Sequence, residues 1–398
     1  MSSPGACLRC RACGAGYALD EGAWRCRCGG LFDLGLQPPD DAFAGLGTQP
    51  WSLWRYRKAL PFSASATGWQ AITMGEGATP LVAIDGGLRL KLDFLMPTLS
   101  FKDRGSVVLV AKAAEIGVHR LVADSSGNAG ASIAAYAARA GIDVEVFVPA
   151  TTSEKKLAQL EGYGATVHCV SGSRADTAAA AIDHVAATGA FYASHVYNPL
   201  FHHGTKTFAF ELWEQLGGRL PSTVLLPAGN GTLLIGASIG FKELAAAGLV
   251  GHVPRLVAVQ AERCAPLAHA ARAAHQGEAL RTTAHEPGPA PAPGATAAEG
   301  IAIAEPARLA QMLDVVAESG GTVLTATEQG IASARLALAA KGIDVEPTAA
   351  TVYAAWLEWP GAPAPSSTVL AITGAGLKSP PPSHRAATAP QPEEGHEA

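Results

Sequence analysis

Short apolar runs alternate with alanine-rich helical stretches from about Gly77 to Lys378, and this alternation constrains the fold more than any other feature. Strands that alternate with helices favour parallel sheets covered by helices on both faces, so the pattern predicts an α/β fold. The predicted strands are Leu121–Asp124, Val144–Val148, Thr166–Val170, Thr223–Pro227, Leu256–Gln260, Thr322–Leu324 and Val369–Thr373. The predicted helices are Ala129–Ala140, Lys155–Tyr163, Arg174–Thr188, Thr205–Leu216, Thr232–Ala247, Thr327–Ala340 and Thr348–Trp359.

Composition excludes several classes of protein. The chain has 398 residues, of which 48% are hydrophobic and 16% are charged, so we expect two or more structural units with a large core rather than a disordered chain. A net charge of -5 without a basic stripe argues against a nucleic-acid partner or a membrane surface. The apolar runs are too short to span a bilayer and the N-terminus lacks an apolar signal core, which predicts a cytoplasmic protein.

A polar loop, Ser125-Ser126-Gly127-Asn128, follows the first predicted strand and precedes a helix. It would present backbone N–H groups and hydroxyls at a helix N-terminus, which is an anion site suited to a carboxylate or a phosphate. The Asn128 amide could bond a phenolic oxygen. The same residues also suit ordinary helix caps and a turn, and the loop alone leaves both interpretations open.

A second loop, Gly229-Asn230-Gly231-Thr232-Leu233, follows the strand Thr223–Pro227 and opens another helix. Its glycines let the backbone approach a phosphate closely, and Thr232 can donate a hydroxyl. The spacing is neither that of a dinucleotide fold nor that of a P-loop, so a monophosphate suits it better than NAD or ATP. An ordinary tight turn is the alternative.

Lys102 is predicted in the first turn of a helix, with Ser100 as N-cap and Asp103 completing a capping box. The positive end of the helix dipole disfavours the charged form of a lysine, as burial does. An amine that loses its proton easily can act as a nucleophile and form a Schiff base. A solvated surface lysine is the alternative.

A hydroxyl near the C-terminus has a position suited to ligand binding. Thr373 ends the last predicted strand and would lie at the carboxyl edge of a parallel sheet, where such folds bind ligands. Its alternative role is a strand-end cap.

The chain resembles the pyridoxal-phosphate enzymes of fold type II, the tryptophan-synthase-β type, in the order of four features. These are one lysine, two loops suited to anions and a hydroxyl near the C-terminus. The chain is similar to threonine synthases and threonine-synthase-like proteins in particular, over roughly residues 77–378. The matching stretches are Gly77-Ala78-Thr79-Pro80-Leu81, Ser100-Phe101-Lys102-Asp103-Arg104-Gly105, Ser125-Ser126-Gly127-Asn128, Asn198-Pro199 with Gly204-Thr205-Lys206-Thr207, Gly229-Asn230-Gly231-Thr232, Glu346-Pro347 and Thr373-Gly374-Ala375-Gly376-Leu377-Lys378.

The resemblance implies two parallel-sheet α/β domains, pyridoxal 5'-phosphate as cofactor, and a role for each matching residue. Lys102 corresponds to the Schiff-base lysine, which also shuttles protons, and Thr373 to the hydroxyl that faces the pyridine nitrogen. Asn128 corresponds to the residue that bonds the pyridoxal oxygen. The cofactor phosphate is assigned to Gly229, Asn230, Gly231, Thr232 and Leu233, and the amino-acid substrate to Ser125, Ser126, Gly127 and Asn198.

The implied reaction converts O-phospho-L-homoserine and water to L-threonine and phosphate. A hydroxyl at position 373 cannot hold the pyridine nitrogen protonated as a carboxylate can, which favours elimination and replacement at Cβ or Cγ over transamination. Two alternatives stay open. One is a serine/threonine ammonia-lyase or a β-replacement enzyme acting on phosphoserine, and the other is a non-catalytic zinc-ribbon protein with an inert cofactor domain.

The chain departs from the family in two places. The family carries an arginine between Asn-Pro and Gly-x-Lys-Thr, but residues 198–207 contain none, and Met96 and Leu99 replace the usual Asn and Gly before the lysine. An arginine's bidentate fork is therefore lost from this segment. The remaining candidates for binding a substrate phosphate are His202, His203, Lys155, Lys156 and Lys206.

Five of the seven cysteines lie within the first 28 residues. Cys10, Cys13, Cys26 and Cys28 could give four thiolates to one structural zinc ion, with Cys7 spare. Reduced, metal-free thiols are the alternative.

The predicted organisation has five parts and a homodimer as the family expectation. The parts are a cysteine-rich zinc-ribbon-like module at 1–36, a connector with the first part of the large cofactor domain at 37–100, a small α/β domain at 101–204, the rest of the large domain at 205–378, and a disordered tail at 379–398. An Ala/Pro/Gly-rich surface loop is predicted at 284–298.

Overall fold

The computed structural model describes residues 6–275 and 295–382. Most of the loop predicted at 284–298 and of the tail predicted at 379–398 lies outside the described residues. The chain divides into two compact units. Unit 1 comprises Met1–Thr79, Leu95–Leu220 and Ile235–Val253, and unit 2 comprises Pro80–Phe94, Pro221–Leu234 and Pro254–Ala398.

The strands include all seven that the sequence predicts, each within two residues of its predicted ends. They are β1 Cys7–Cys10, β2 Gly16–Tyr17, β3 Phe32–Gly35, β4 Leu81–Ala83, β5 Arg89–Leu92, β6 Arg120–Ala123, β7 Asp143–Pro149, β8 Thr166–Val170, β9 Phe191–Tyr192, β10 Thr223–Pro227, β11 Arg255–Ala261, β12 Thr322–Ala326 and β13 Thr368–Ile372.

Six of the seven predicted helix ranges are confirmed to within two residues, and the seventh is broken, as described below. The helices are α1 Trp69–Ile72, α2 Lys102–Glu115, α3 Asn128–Ala140, α4 Glu154–Gly162, α5 Arg174–Thr188, α6 Pro199–Thr205, α7 Thr207–Gln215, α8 Thr232–Ala246, α9 Pro266–His275, α10 Leu309–Glu318, α11 Glu328–Ala339 and α12 Pro347–Leu357. The sequence analysis does not predict α1, α9 and α10. Short 3-10 helices lie at Leu19–Glu21, Leu46–Thr48, Leu53–Ala59, Asp85–Gly87, Glu299–Ile301, Pro365–Ser367 and Gly376–Lys378. None of the helices in the described ranges combines the length and the apolar character that crossing a bilayer requires.

Parallel sheets form the centre of each unit, as the alternation predicts. In unit 1 a four-stranded parallel sheet has the order β8-β7-β6-β9, and a small antiparallel sheet of order β2-β1-β3 carries the N-terminal cysteines. In unit 2 a six-stranded sheet has the order β12-β11-β10-β13-β5-β4 and is parallel except for the edge strand β4. The two central strands, β10 and β13, are buried along their whole length, and each is apolar after its first residue, a threonine.

Two glycines let helices α2 and α6 of unit 1 approach each other closely. A Cβ atom at Gly105 would lie 2.4 Å from the Phe201 ring, and one at Gly204 would lie 2.0 Å from the backbone oxygen of Arg104. Neither position can therefore hold a larger residue without displacing a helix. This contact fixes the fully buried Phe201 ring beside the first turn of α2.

The helix predicted at Thr205–Leu216 is wrong at its N-terminal end, because the chain forms α6 and α7 with a break at Lys206. Asn198 caps α6 by accepting a hydrogen bond from the N–H of Leu200, and Pro199 occupies its first position. The hydroxyls of Thr205 and Thr207 bond back to backbone carbonyls near the break. Such bonds compete with the regular helical pattern.

The predicted capping box of α2 is also wrong. The helix begins at Lys102 with Phe101 as N-cap, and the Ser100 hydroxyl is buried without a hydrogen-bond partner among the described residues. The Asp103 carboxylate instead accepts bonds from the N–H and hydroxyl of Thr98 and from the hydroxyl of Ser132. It therefore anchors the preceding turn and α3 rather than its own helix end.

A buried ion pair joins α2 to α7. The guanidinium of Arg104 donates to both oxygens of Glu211, at 2.6 and 2.7 Å, and both side chains are almost completely excluded from solvent. Glu211 also accepts a bond from the N–H of Ala78 at 2.8 Å, and Arg104 reaches the hydroxyls of Thr79 and Thr207. The pair therefore ties the segment before β4 and α7 to the start of α2.

We expect Glu211→Gln to lower the free energy of unfolding by about 3–5 kcal/mol, because it leaves the Arg104 guanidinium buried without a counter-charge. Chemical denaturation followed by circular dichroism measures the loss. The matched control is Asp41→Asn, which breaks the exposed pair with Lys58 and should leave the stability nearly unchanged, because solvent screens exposed charges. Equal losses in the two variants would contradict the assignment of Glu211 as the anchor.

Candidate active site

Lys102 is the first residue of α2, and aromatic rings surround its amine. Its side chain is half-buried, and Nζ lies 4.6 Å from the centre of the Phe101 ring and 5.6 Å from that of Phe201. Leu99, in the turn before the helix, has a φ of 63°. This left-handed conformation favours glycine, so the chain places a leucine where the backbone geometry suits the smaller residue.

The loop Ser125–Gly127 leads from β6 into α3, with Gly127 as the helix N-cap. The first N–H groups of a helix have no acceptor within the helix, so an anion can accept bonds from them. A Cβ atom at Gly130 would lie 1.7 Å from the backbone oxygen of Ser125. Glycine at position 130 is therefore what allows the loop to fold down onto the helix, a role that the prediction of site residues missed.

In unit 2 the loop Gly229–Gly231 leads from β10 into α8. Gly231 has a φ of 74°, and a Cβ atom at Gly229 would lie 2.9 Å from the Cα atom of Ile301. Thr232 and Leu233 are the first residues of α8, and both are buried. The loop is thus a glycine-lined backbone surface at a helix N-terminus, as its sequence predicts.

Thr373 comes directly after β13, the strand next to β10. The parallel register pairs Leu225 with Leu370, so both strands end at the same edge, with Thr373 beside the start of the glycine loop. The Thr373 hydroxyl is buried and has no hydrogen-bond partner among the described residues. A buried hydroxyl without a partner is costly, which indicates that a ligand completes it.

Glu346 supports the turn that follows Thr373. It is the N-cap residue of α12, and its N–H donates to the backbone oxygen of Gly374 at 3.1 Å. A Cβ atom at Gly374 would lie 2.1 Å from Oε1 of Glu346. The matching Glu-Pro and Thr-Gly stretches of the sequence are therefore neighbours in unit 2, and their contact fixes the backbone at position 374.

Comparison with known proteins decides the family. A family model described as pyridoxal-phosphate dependent enzyme matches residues 72–374. The chain belongs to the family of pyridoxal-phosphate dependent enzymes. Two relatives are 33% identical to it: a threonine synthase of Methanocaldococcus jannaschii, matched over 96% of this chain and 95% of the relative, and one of Methanosarcina acetivorans, matched over 87% and 85%.

A solved structure of an enzyme with a different activity is also similar to this chain. The crystal structure of a threonine deaminase from the organism abbreviated T.th. is 28% identical, covers 72% of this chain and 87% of its own, and superimposes with a TM-score of 0.59. The chain is thus a pyridoxal-phosphate dependent lyase that resembles the threonine synthases.

The residues of this pyridoxal-phosphate dependent enzyme fit the cofactor. The glycine loop and N-terminus of α8 suit a phosphate, and the unpartnered hydroxyl of Thr373 suits a ring nitrogen that accepts a hydrogen bond. Lys102, at the start of α2, supplies the primary amine that a Schiff base requires. The individual roles of these residues, and that of Asn128 at the start of α3, stay predictions.

Two of the candidates for a substrate phosphate have other partners in the structure. Lys206 is buried and pairs with Oε1 of Glu243 at 2.8 Å, and burial lowers the pKa of this lysine. His203 is buried against the backbone of Leu34, and burial lowers its pKa well below the usual value. Both side chains therefore hold α6 and its neighbours together. Asn198 caps α6, and its role toward the substrate stays a prediction.

The four predicted metal ligands of the N-terminal module lie together. The Sγ atoms of Cys10, Cys13, Cys26 and Cys28 are all within 4.8 Å of one another. The hydrogen bond with the Tyr17 hydroxyl, 3.3 Å from Sγ of Cys26, is the main cause that lowers the pKa of this thiol to about 6. The module thus contains a candidate metal centre, which Cys7 does not join.

We expect Gly130→Ala to destabilise the fold by about 1–3 kcal/mol, because the added methyl group overlaps the backbone of Ser125 and must displace the loop. Urea unfolding measures the change. In the control Gly162→Ala, at the end of α4, the methyl group meets no atom within 4 Å and stability should not fall. A Gly130→Ala protein as stable as this control would contradict the close approach of loop and helix.

Proposed function

We propose that this enzyme is a threonine synthase, which converts O-phospho-L-homoserine and water to L-threonine and phosphate. The observation that carries the proposal is the match to threonine synthases along nearly the whole chain, 33% identical over 96% of it. The structure supports it with an amine at the start of a helix and two loops suited to anions. The non-catalytic alternative has no support from the relatives.

Pyridoxal phosphate, when bound, supplies an electrophilic carbonyl and a conjugated ring that withdraws electrons from the substrate. Thr373 would accept or donate a hydrogen bond at the ring nitrogen without holding a proton there as a carboxylate does. Gly229–Gly231 and Thr232 would bind the cofactor phosphate through N–H and hydroxyl groups. A neutral ring nitrogen makes the ring a weaker electron sink, which favours elimination and replacement over transamination.

Lys102 has two tasks in the proposed reaction. Its amine holds the cofactor until the amino acid arrives, and once released it removes the proton from Cα of the substrate and returns protons at later steps. Ser125, Ser126 and Gly127 would bind the substrate carboxylate at the N-terminus of α3. The carboxylate contact orients Cα toward the lysine, and this orientation lowers the barrier to proton transfer.

A second candidate function is a serine/threonine ammonia-lyase. It is favoured by the similarity to a threonine deaminase and by residues 198–207, which carry the buried ring of Phe201 and no arginine. Hydroxyl-bearing substrates need no phosphate-binding arginine. The two reactions differ in their products, since one releases phosphate and the other releases ammonia.

Turnover of O-phospho-L-homoserine by the holoenzyme tests the proposal. We expect equal amounts of phosphate and threonine from the native chain, and neither product above background from Lys102→Ala. After borohydride reduction, mass spectrometry should detect the cofactor covalently attached to the native chain and not to Lys102→Ala. Lys58→Ala, at an exposed lysine, should behave as the native chain. Ammonia from serine or threonine without phosphate release from O-phosphohomoserine would establish the second candidate instead.

We also propose that the four clustered cysteines hold a structural zinc ion. Four thiolates about 2.3 Å from one zinc ion stand about 3.8 Å apart. Sγ of Cys28 lies 3.5 Å from Sγ of both Cys10 and Cys13, and Sγ of Cys13 lies 3.6 Å from that of Cys26. A Cβ atom at Gly30 would lie 2.5 Å from Sγ of Cys10, so the glycine leaves room for the thiols.

We expect the double variant Cys10→Ser and Cys26→Ser to lose about one equivalent of zinc per chain while it keeps the cofactor. Inductively coupled plasma mass spectrometry measures the metal, and absorbance measures the cofactor. Cys169→Ser removes an exposed thiol from β8 and is the control. A zinc content equal in all three proteins would refute the site.

The homodimer and the cytoplasmic location stay predictions.

A further inference from the structure

His195 is a buried imidazole to which the predicted roles assign no function. It follows β9 by three residues, at the carboxyl edge of the four-stranded parallel sheet. Its side chain is 6% exposed, and its ring centre lies 5.9 Å from that of Phe201. No residue in the described part of the chain forms a hydrogen bond with its ring nitrogens. The two nitrogens are not among the fully buried polar atoms, so they can form hydrogen bonds with water or with a polar ligand.

Two cationic side chains, those of Lys102 and Arg174, act electrostatically on this imidazole. Burial lowers the pKa of His195 well below its usual value, and the charges of Lys102, Arg174 and His202 lower it further. These groups belong to three different helices, α2, α5 and α6, and all of them act on one ring. The imidazole is therefore neutral near pH 7 and stands in a positive field, which attracts an anion.

Arg174 is the nearby cation that is available to a ligand. It is the first residue of α5, its side chain is exposed, and it forms no hydrogen bond or ion pair with the described residues. Helix α5 packs on β6, β7 and β9, and its N-terminus follows β8, so Arg174 lies at the same sheet edge as His195. The loop Ser125–Gly127 leaves the sheet at this edge as well.

Asp124 is the acidic group that could compete for Arg174. It lies between β6 and the loop, and its Oδ1 atom is buried without a partner among the described residues. Burial raises the pKa of Asp124 more than Arg174 lowers it. A carboxyl group that is difficult to ionise holds a guanidinium weakly, so an incoming anion can displace it.

We propose that Arg174 and His195 form the subsite for the phosphate group of the substrate, in place of the arginine that residues 198–207 lack. The guanidinium would donate two parallel hydrogen bonds to phosphate oxygens, and the neutral imidazole would donate one N–H. The loop Ser125–Gly127 at the same edge would bind the carboxylate of the same molecule. This inference rests on the proposed function, since it takes the substrate to be a phosphate monoester.

Titration calorimetry of the holoenzyme with inorganic phosphate tests the subsite directly. We expect Arg174→Gln to weaken phosphate binding by about ten- to hundredfold, since it removes a charged hydrogen-bond pair, and Arg174→Lys to recover part of the loss. His195→Leu should weaken binding, with His195→Asn, which keeps a donor, closer to the native chain. The control Arg120→Gln removes the same charge at the opposite end of β6 and should stay within twofold.

The outcomes separate this subsite from the proposed function. Native holoenzyme that binds no inorganic phosphate, or an Arg174→Gln protein that binds it as the native chain does, overturns the subsite. A second outcome is that the native enzyme binds inorganic phosphate but makes no threonine from O-phosphohomoserine, while the Arg174→Gln variant no longer binds phosphate. In that case the subsite stands and the proposed substrate fails. If threonine forms and the KM for O-phosphohomoserine is unchanged in Arg174→Gln, the function stands and the subsite fails.

Discussion

The buried ion pair between Arg104 and Glu211 is the interaction on which the position of Lys102 depends. Arg104 follows the lysine by two residues, so a guanidinium fixed at both nitrogens also fixes the turn that carries the amine. In a buried environment the two charges must remain together, because separating them leaves one charge unsolvated. The close contact of α2 and α6 through Gly105 and Gly204 then positions the Phe201 ring against the same turn.

Two of the candidate functional groups share a second physical feature, which is that they have polar atoms without a hydrogen-bond partner in the described part of the protein. Most buried polar side chains of the described residues have partners, as Glu76 shows by accepting bonds from Trp54, Thr73 and Tyr136. The buried hydroxyl of Thr373 has none among the described residues, and Thr373 lies just beyond the carboxyl end of a parallel strand, as His195 does. Beyond the end of a strand, backbone and side-chain groups are not hydrogen-bonded within the sheet, so they are available to bind ligands.

Regular structure could be predicted from the sequence because its signals are local. The seven strands follow from apolar runs, and six of the seven predicted helices follow from periodicity with glycine or proline at their ends. The break at Lys206 and the partners of Asp103 could not be predicted this way. The break coincides with hydroxyl bonds of Thr205 and Thr207 to backbone carbonyls, and the partners of Asp103 are Thr98, outside the helix, and Ser132, on another helix.

The sequence by itself determined the α/β alternation, the positions of the glycine and polar loops, the lysine at the start of a helix and the four clustered cysteines, because residue type and spacing encode each of them. Only the tertiary structure decided which charged groups are available to a ligand. Lys206 and Arg104 form buried ion pairs, whereas Arg174 and His195 lie at the same sheet edge although 21 positions separate them in the sequence. The reason is that burial and pairing depend on which strands and helices become neighbours, and no local pattern of residues specifies that.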